Sequence, residues 1–283
     1  MGEEENPLKT LSKESEIIRE IQRSIQLIKK LTEVENPHIN VYKIILNISR
    51  IEKMLTESKL DQSVRQNITT YLQGIKTKIP EWEDHAKRSF GERLDQAFRE
   101  AGFQLKGQYP TLTTSFYTLK VYLDNENIEI WYGPEQELLG KYKPIPEIVT
   151  KKLIDFHKQI TQRKFDEKAF LSNLYEAYRI VAYRNNKNIG DAMPITEVLS
   201  ILAFSIQTQK FKINPIKSNY SEYSRVFFSY DLYRLKERKI DNVKLALVTA
   251  TRASTRRRAD FLWIPWNEEG AGSYISHISF KEA

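Results

Sequence analysis

Cysteine is absent from this 283-residue chain. Disulfides, thiolate zinc sites and cysteine nucleophiles are excluded together, and a reducing, cytoplasmic setting is expected. Glycine is sparse: there are 10 in all and none between 141 and 189. Neither a P-loop nor a GxGxxG dinucleotide fingerprint is present, and the GxSxG nucleophile elbow is missing as well. The four histidines, His38, His85, His157 and His277, are scattered and form no HExxH pair, so no metal centre and no cofactor are expected. No apolar run approaches the roughly 18 residues of a membrane span. The opening MGEEENPLKT is acidic and polar, unlike a signal or transit peptide, and Glu3, Glu4 and Glu5 fit myristoylation of Gly2 poorly.

What is present argues for ordered structure. Apolar residues make up 40% of the chain, and 13 Phe, 15 Tyr and 4 Trp supply aromatic mass that disordered chains lack. The formal net charge is +7, unevenly spread. Residues 1–103 balance 17 basic against 17 acidic side chains, residues 104–150 hold 4 against 6, and residues 151–283 hold 23 against 14. The positive field therefore belongs to the second half, where it attracts polyanions.

The first hundred residues carry helical periodicity throughout. Leu11, Ile18 and Ile25 are spaced by seven, with Ile21, Ile28 and Leu31 between and beyond them. Ser12 or Ser15 is the expected cap, and Glu35-Asn36-Pro37 the expected break. Further stripes run from Val41 to Leu55, from Val64 to Ile79, and from Trp82 to Phe98, stopped by Gly102. Two readings stand: a self-contained helical bundle, or a coiled-coil arm whose Ile18, Ile21, Ile25 and Ile28 bind a partner protein or a second copy.

The texture then changes. FYTLKVYL (116–123) and IEIWY (128–132), separated by Asp124-Asn125-Glu126-Asn127, predict a β-hairpin. Helices are expected at about 147–161, 166–185 (capped by Asp166), 196–208 (capped by Thr196) and 221–237 (capped by Ser221). Strands are expected at 243–250, 260–266 and 273–280. The fold class is thus α+β, mostly helical, with an N-terminal helical bundle or coiled-coil arm (1–103), a central β-hairpin segment (104–146) and a basic C-terminal domain (147–283).

From 166 onward the order is helix, helix, helix, strand, strand, strand. That order resembles a winged-helix domain, in which the 221–237 helix would take the recognition position with one face free for the major groove. Arg252, Arg256, Arg257 and Arg258 place four arginines within seven residues, and Arg234, Lys236, Arg238 and Lys239 follow the aromatic helix. Arginine's planar fork suits phosphate, so these eight are the candidate contacts to DNA or RNA. Cations at a helix C-terminus also stabilise the helix dipole unaided, and the loop arginines could instead meet Glu268-Glu269.

The leading expectation is a non-enzymatic nucleic-acid-binding subunit of a larger complex, in a bacterial genome-maintenance or antiviral-defence setting. A first alternative is a protein–protein assembly factor, since winged-helix domains also serve as accessory subunits of ATPase complexes. A second is a metal-dependent nuclease built on Asp124, Glu126 and Glu129 with Lys141. The spacing of those carboxylates matches no motif, and a recombinase-like trio of Arg257, Tyr274 and His277 is one that any basic protein offers.

Overall fold

The structure, a computed structural model, describes residues 7–282; the acidic start Gly2–Glu5 lies outside them. The chain divides into two compact units, Met1–Leu94 and Asp95–Ala283, so the fold is α+β with its two antiparallel sheets both in the second unit. Among the described residues no helix is long and apolar enough to cross a membrane.

The first unit is built on helices α1 (Pro7–Lys29), α2 (Pro37–Glu57) and α3 (Gln62–Lys76), joined by the start of α4 (Ile79–Glu100). Helix α1 begins at Pro7, so Ser12 and Ser15 lie inside it rather than capping it. A π-helical turn at Lys30–Val34 ends it, and the Asn36 side chain, accepting from His38 N–H with Pro37 at the first helical position, opens α2. Exposed ion pairs, Glu20 with Arg50 and Glu52 with Lys76, link α1 to α2 and α2 to α3 as antiparallel neighbours whose packing rests on the apolar core.

The apolar stripe of α1 is spent inside this unit. Ile21 and Ile28 are 3% and 0% exposed and share a core with Val41, Ile44, Ile48 and Ile51. Ile25 packs at the rim of that core, Ile18 is half-buried, and Leu11 is exposed. The expected partner-binding role of Ile21 and Ile28 is therefore corrected. Their side chains fill the bundle that the chain makes with itself, because a helical hairpin already satisfies the 3–4 spacing.

The second unit opens with a five-stranded antiparallel meander, β1 (Lys106–Gln108), β2 (Thr111–Thr114), β3 (Tyr117–Tyr122), β4 (Asn127–Tyr132) and β5 (Glu137–Tyr142), in sequence order. The expected hairpin is its β3–β4 pair, with Leu119 opposite Ile130 and Val121 opposite Ile128. Gly133 must be glycine: its φ is +66°, and a Cβ there would lie 2.7 Å from Trp263 Cε3.

Helices α5 (Pro146–Thr161) and α6 (Glu167–Arg184, capped by Asp166) follow, then the two-residue strand β6 (Met193–Pro194), α7 (Ile195–Ser205), the short α8 (Gln209–Ile213) and α9 (Arg225–Arg234). Thr196 lies within α7, and Ser224 rather than Ser221 caps α9. Strands β7 (Lys239–Ile240), β8 (Val243–Thr249), β9 (Leu262–Pro265) and β10 (Gly272–Glu282) close the chain. The second sheet runs β6-β10-β8-β7, and β9 pairs with the first half of β10. Its core joins Leu174, Tyr178 and Val181 of α6, Val198 and Leu202 of α7, Phe228 and Leu232 of α9, and Leu245, Ile278 and Phe280 of the sheet.

Helix α9 is the pivot of this unit. Asp231, 3% exposed, takes Arg163 and Arg234 on Oδ1, the latter at 2.7 Å, and the Tyr223 hydroxyl donates to Oδ2 at 2.8 Å. Burial, with the charge of Asp231 second, pushes the Tyr223 phenol well above its ordinary range, so it stays a donor. Arg163 lies 4.1 Å over the Phe227 ring and Arg234 3.9 Å over Phe165. Replacing one partner of such a buried set strands the other charges. Asp231→Asn is expected to cost about 3 kcal/mol, read by urea unfolding followed through tryptophan fluorescence; stability equal to the parent would contradict this role.

Candidate functional site

The charged loop between β8 and β9 is ordered from its own backbone. Ala250 N–H donates to Tyr274 O at 2.7 Å, closing the end of β8. The Thr251 hydroxyl accepts from Ser254 N–H, and Thr255 N–H donates to Thr251 O at 3.0 Å. This turn carries Arg252 on its rise and Arg256, Arg257 and Arg258 on its descent, all four exposed.

Two residues far away in sequence brace the loop. Arg225, at the start of α9, bonds Glu137 of β5, and its Nη2 donates to the carbonyl oxygens of Arg258 at 2.7 Å and Phe261 at 2.6 Å. Trp131 of β4 lies beneath Arg258, whose guanidinium stands 4.9 Å from the indole centre. The Trp131 Nε1–H in turn donates to Glu129 at 3.0 Å. Neither brace is visible in the sequence, because the partners are separated by 33 and 127 positions.

The four loop arginines differ in their engagement. Arg252 and Arg256 form no ion pair among the described residues. Arg257 pairs with Asp260 at 2.9 Å in an exposed contact worth little in water. No loop arginine pairs with Glu268 or Glu269 among the described residues.

The second predicted group is split by the fold. Arg234 is held by Asp231 and donates to Arg163 O at 3.0 Å, with its side chain 16% exposed, so its charge is used internally. Arg238 is half-buried, whereas Lys236 and Lys239 are exposed. The expectation of a free recognition face on the aromatic helix is corrected as well. None of the ten residues of α9 is exposed. Phe228 and Leu232 enter the core on one side. On the other, Tyr230 and Tyr233 pack on Phe116, and Ser229 donates to Trp263 O and lies 3.2 Å from the Tyr132 hydroxyl. The meander occupies the side that a groove-reading helix leaves open.

The carboxylates of the nuclease alternative do not converge. Glu129 is paired with Lys141 at 2.7 Å and lies opposite Lys120; the Lys141 ammonium chiefly, with Trp131 assisting, holds its carboxyl below the ordinary range. Asp124 and Glu126 are exposed on the β3–β4 turn. Among the described residues no three acidic or histidine side chains stand together as metal ligands. Tyr274 pairs across strands with Trp263 and His277 with Pro194 and Val248, while Arg257 stays in the loop.

Comparison with protein-family models, curated proteins and solved structures returns no match.

Arg225 is thus a positioning residue for the loop. Arg225→Ala leaves two carbonyls and Glu137 unpaired, and tryptic cutting within 252–258 is expected to quicken about tenfold as the loop opens locally. An unchanged cutting rate would remove the brace from the account.

Proposed function

We propose that this chain binds nucleic acid through the phosphate backbone, without reading base sequence, as a non-enzymatic subunit. The observation that carries this reading is the braced arginine loop at 250–261, with Arg252 and Arg256 exposed and, among the described residues, free of carboxylate partners. Guanidinium groups held on a defined backbone lose less freedom on meeting phosphate than groups on a slack tail, and each can present two parallel donors.

The element order supports a winged-helix interpretation of the second unit. Helix α6, strand β6, helices α7 and α9, and strands β8 and β10 succeed one another, and β10 lies between β6 and β8. The arginine loop then occupies the wing. With α9 enclosed, the wing rather than the third helix makes the contact, and contacts to phosphate position a protein without specifying bases. Weak discrimination between duplex sequences follows.

A protein–protein assembly role is the second reading, and one observation favours it. Phe204, Ile213 and Ile216 are 63%, 83% and 49% exposed, on a stretch that also carries Lys210, Lys212 and Lys217 and no acidic residue between 204 and 221. Apolar exposure of that kind marks contact surfaces.

The test is fluorescence anisotropy with a labelled 20-base-pair duplex at low salt. Arg256→Glu with Arg257→Glu is expected to weaken binding by about a hundredfold or more, equally for two unrelated sequences. Binding unaffected by the double reversal would overturn the reading.

A further inference from the structure

Three lysines on three different strands meet in one cross-strand row. In the register of the second sheet Lys244 of β8 stands directly opposite Lys281 of β10 on one side and Lys239 of β7 on the other. All three are exposed. Their neighbours in the next register, Leu245 and Phe280, are 3% and 0% exposed and belong to the core. Strand alternation therefore puts the row on the opposite, outward face. Among the described residues none of the three forms an ion pair. The adjacent Glu282 alternates to the other face, and Asp241 lies in the β7–β8 turn.

Such a row opposes folding. Directly opposed side chains in an antiparallel pair have Cβ atoms about 5 Å apart, and like charges there repel. Lysine at a sheet edge is a common guard against unwanted strand pairing, which accounts for Lys239 on the edge strand β7. The same guard covers Lys281, because β6 and β9 pair only with residues 272–278 of β10, but it does not account for Lys244, which is paired on both sides.

We propose that the Lys239–Lys244–Lys281 row is a second phosphate-binding site, continuing the contact begun by the arginine loop. The inference rests on the nucleic-acid reading above and extends it from the arginine loop to the sheet, where Lys244 and Lys281 join Lys239. One strand carries both sites: from Lys244 to Thr249, where β8 gives way to the loop, is about 17 Å at roughly 3.4 Å per residue. A duplex advances about 3.4 Å per base pair along its axis, so the lysine row and the foot of the arginine loop are about five base pairs apart. A polyanion with regularly spaced charge fits this arrangement; a single small anion would use one site only.

The experiment replaces Lys244 and Lys281 together by Gln, and separately by Arg, in the full chain. Binding to the labelled duplex is measured from low to moderate salt, and Tm is measured without nucleic acid. The Gln pair is expected to lower the log–log salt slope by about two and to bind about tenfold more weakly at low salt, while the Arg pair stays near the parent. In the absence of ligand the Gln pair is expected to melt about 1–3 °C higher, because the repulsion is gone. A Gln pair with the parent's slope, in a chain whose binding still falls on Arg256→Glu with Arg257→Glu, overturns the row and leaves the arginine-loop reading intact. No duplex binding by the parent chain overturns both.

Discussion

The enclosure of α9 is the constraint on which the second unit depends. Asp231 is buried on this helix with two guanidinium groups on one oxygen and a phenol on the other. One of those arginines, Arg163, comes from the connection between α5 and α6, so a single carboxylate ties the helix to the element before the core. A buried ion set of this kind is no large net source of stability, because desolvation offsets most of the attraction. Its effect is on arrangement: the helix is fixed in rotation, which directs Ser229 to Tyr132 and Trp263 and Arg225 to Glu137 and the loop carbonyls.

That rotation decides what the surface can do. A third helix lying free over a small sheet would offer a face to the major groove. Here the meander has taken that face, while the loop arginines and the lysines at the far end of β8 and β10 stay exposed. On the function proposed above, contact would fall to the loop instead of the helix, and to phosphate instead of base edges. The same braces that bury α9 hold the loop, so the packing of the interior and the display of charge are one arrangement.

The sequence revealed the elements better than their faces. β-Branched and aromatic enrichment in FYTLKVYL and IEIWY around a polar turn locates the β3–β4 pair, and the Asp166 cap locates α6, because both signals are local. Strands β1, β2, β6 and β7 escape such signals because they are two to four residues long, and β5, six residues long, because ELLGKY is interrupted by Gly140 and lacks β-branched residues. The stripe in α1 was visible as a period, but a period does not say whether the facing helix belongs to this chain or another. Ile21 and Ile28 face α2. In the site, Arg252, Arg256, Arg257 and Arg258 were legible as composition. Arg234 was misread, since proximity to a helix end in sequence hides that its carboxylate partner is one turn earlier on the same helix. Arg225, Trp131 and the Lys244–Lys281 pair carry no local signature, being assembled by strand register and by contacts across 33 or more positions.

The most direct measurement is the hydrogen-exchange footprint of the unaltered chain with and without duplex DNA. The account predicts slowed exchange at 250–260 and no change in α9, whose amides are already enclosed in the free protein. Protection confined to residues 7–94, or new protection within 225–234 with the loop unaffected, would contradict it.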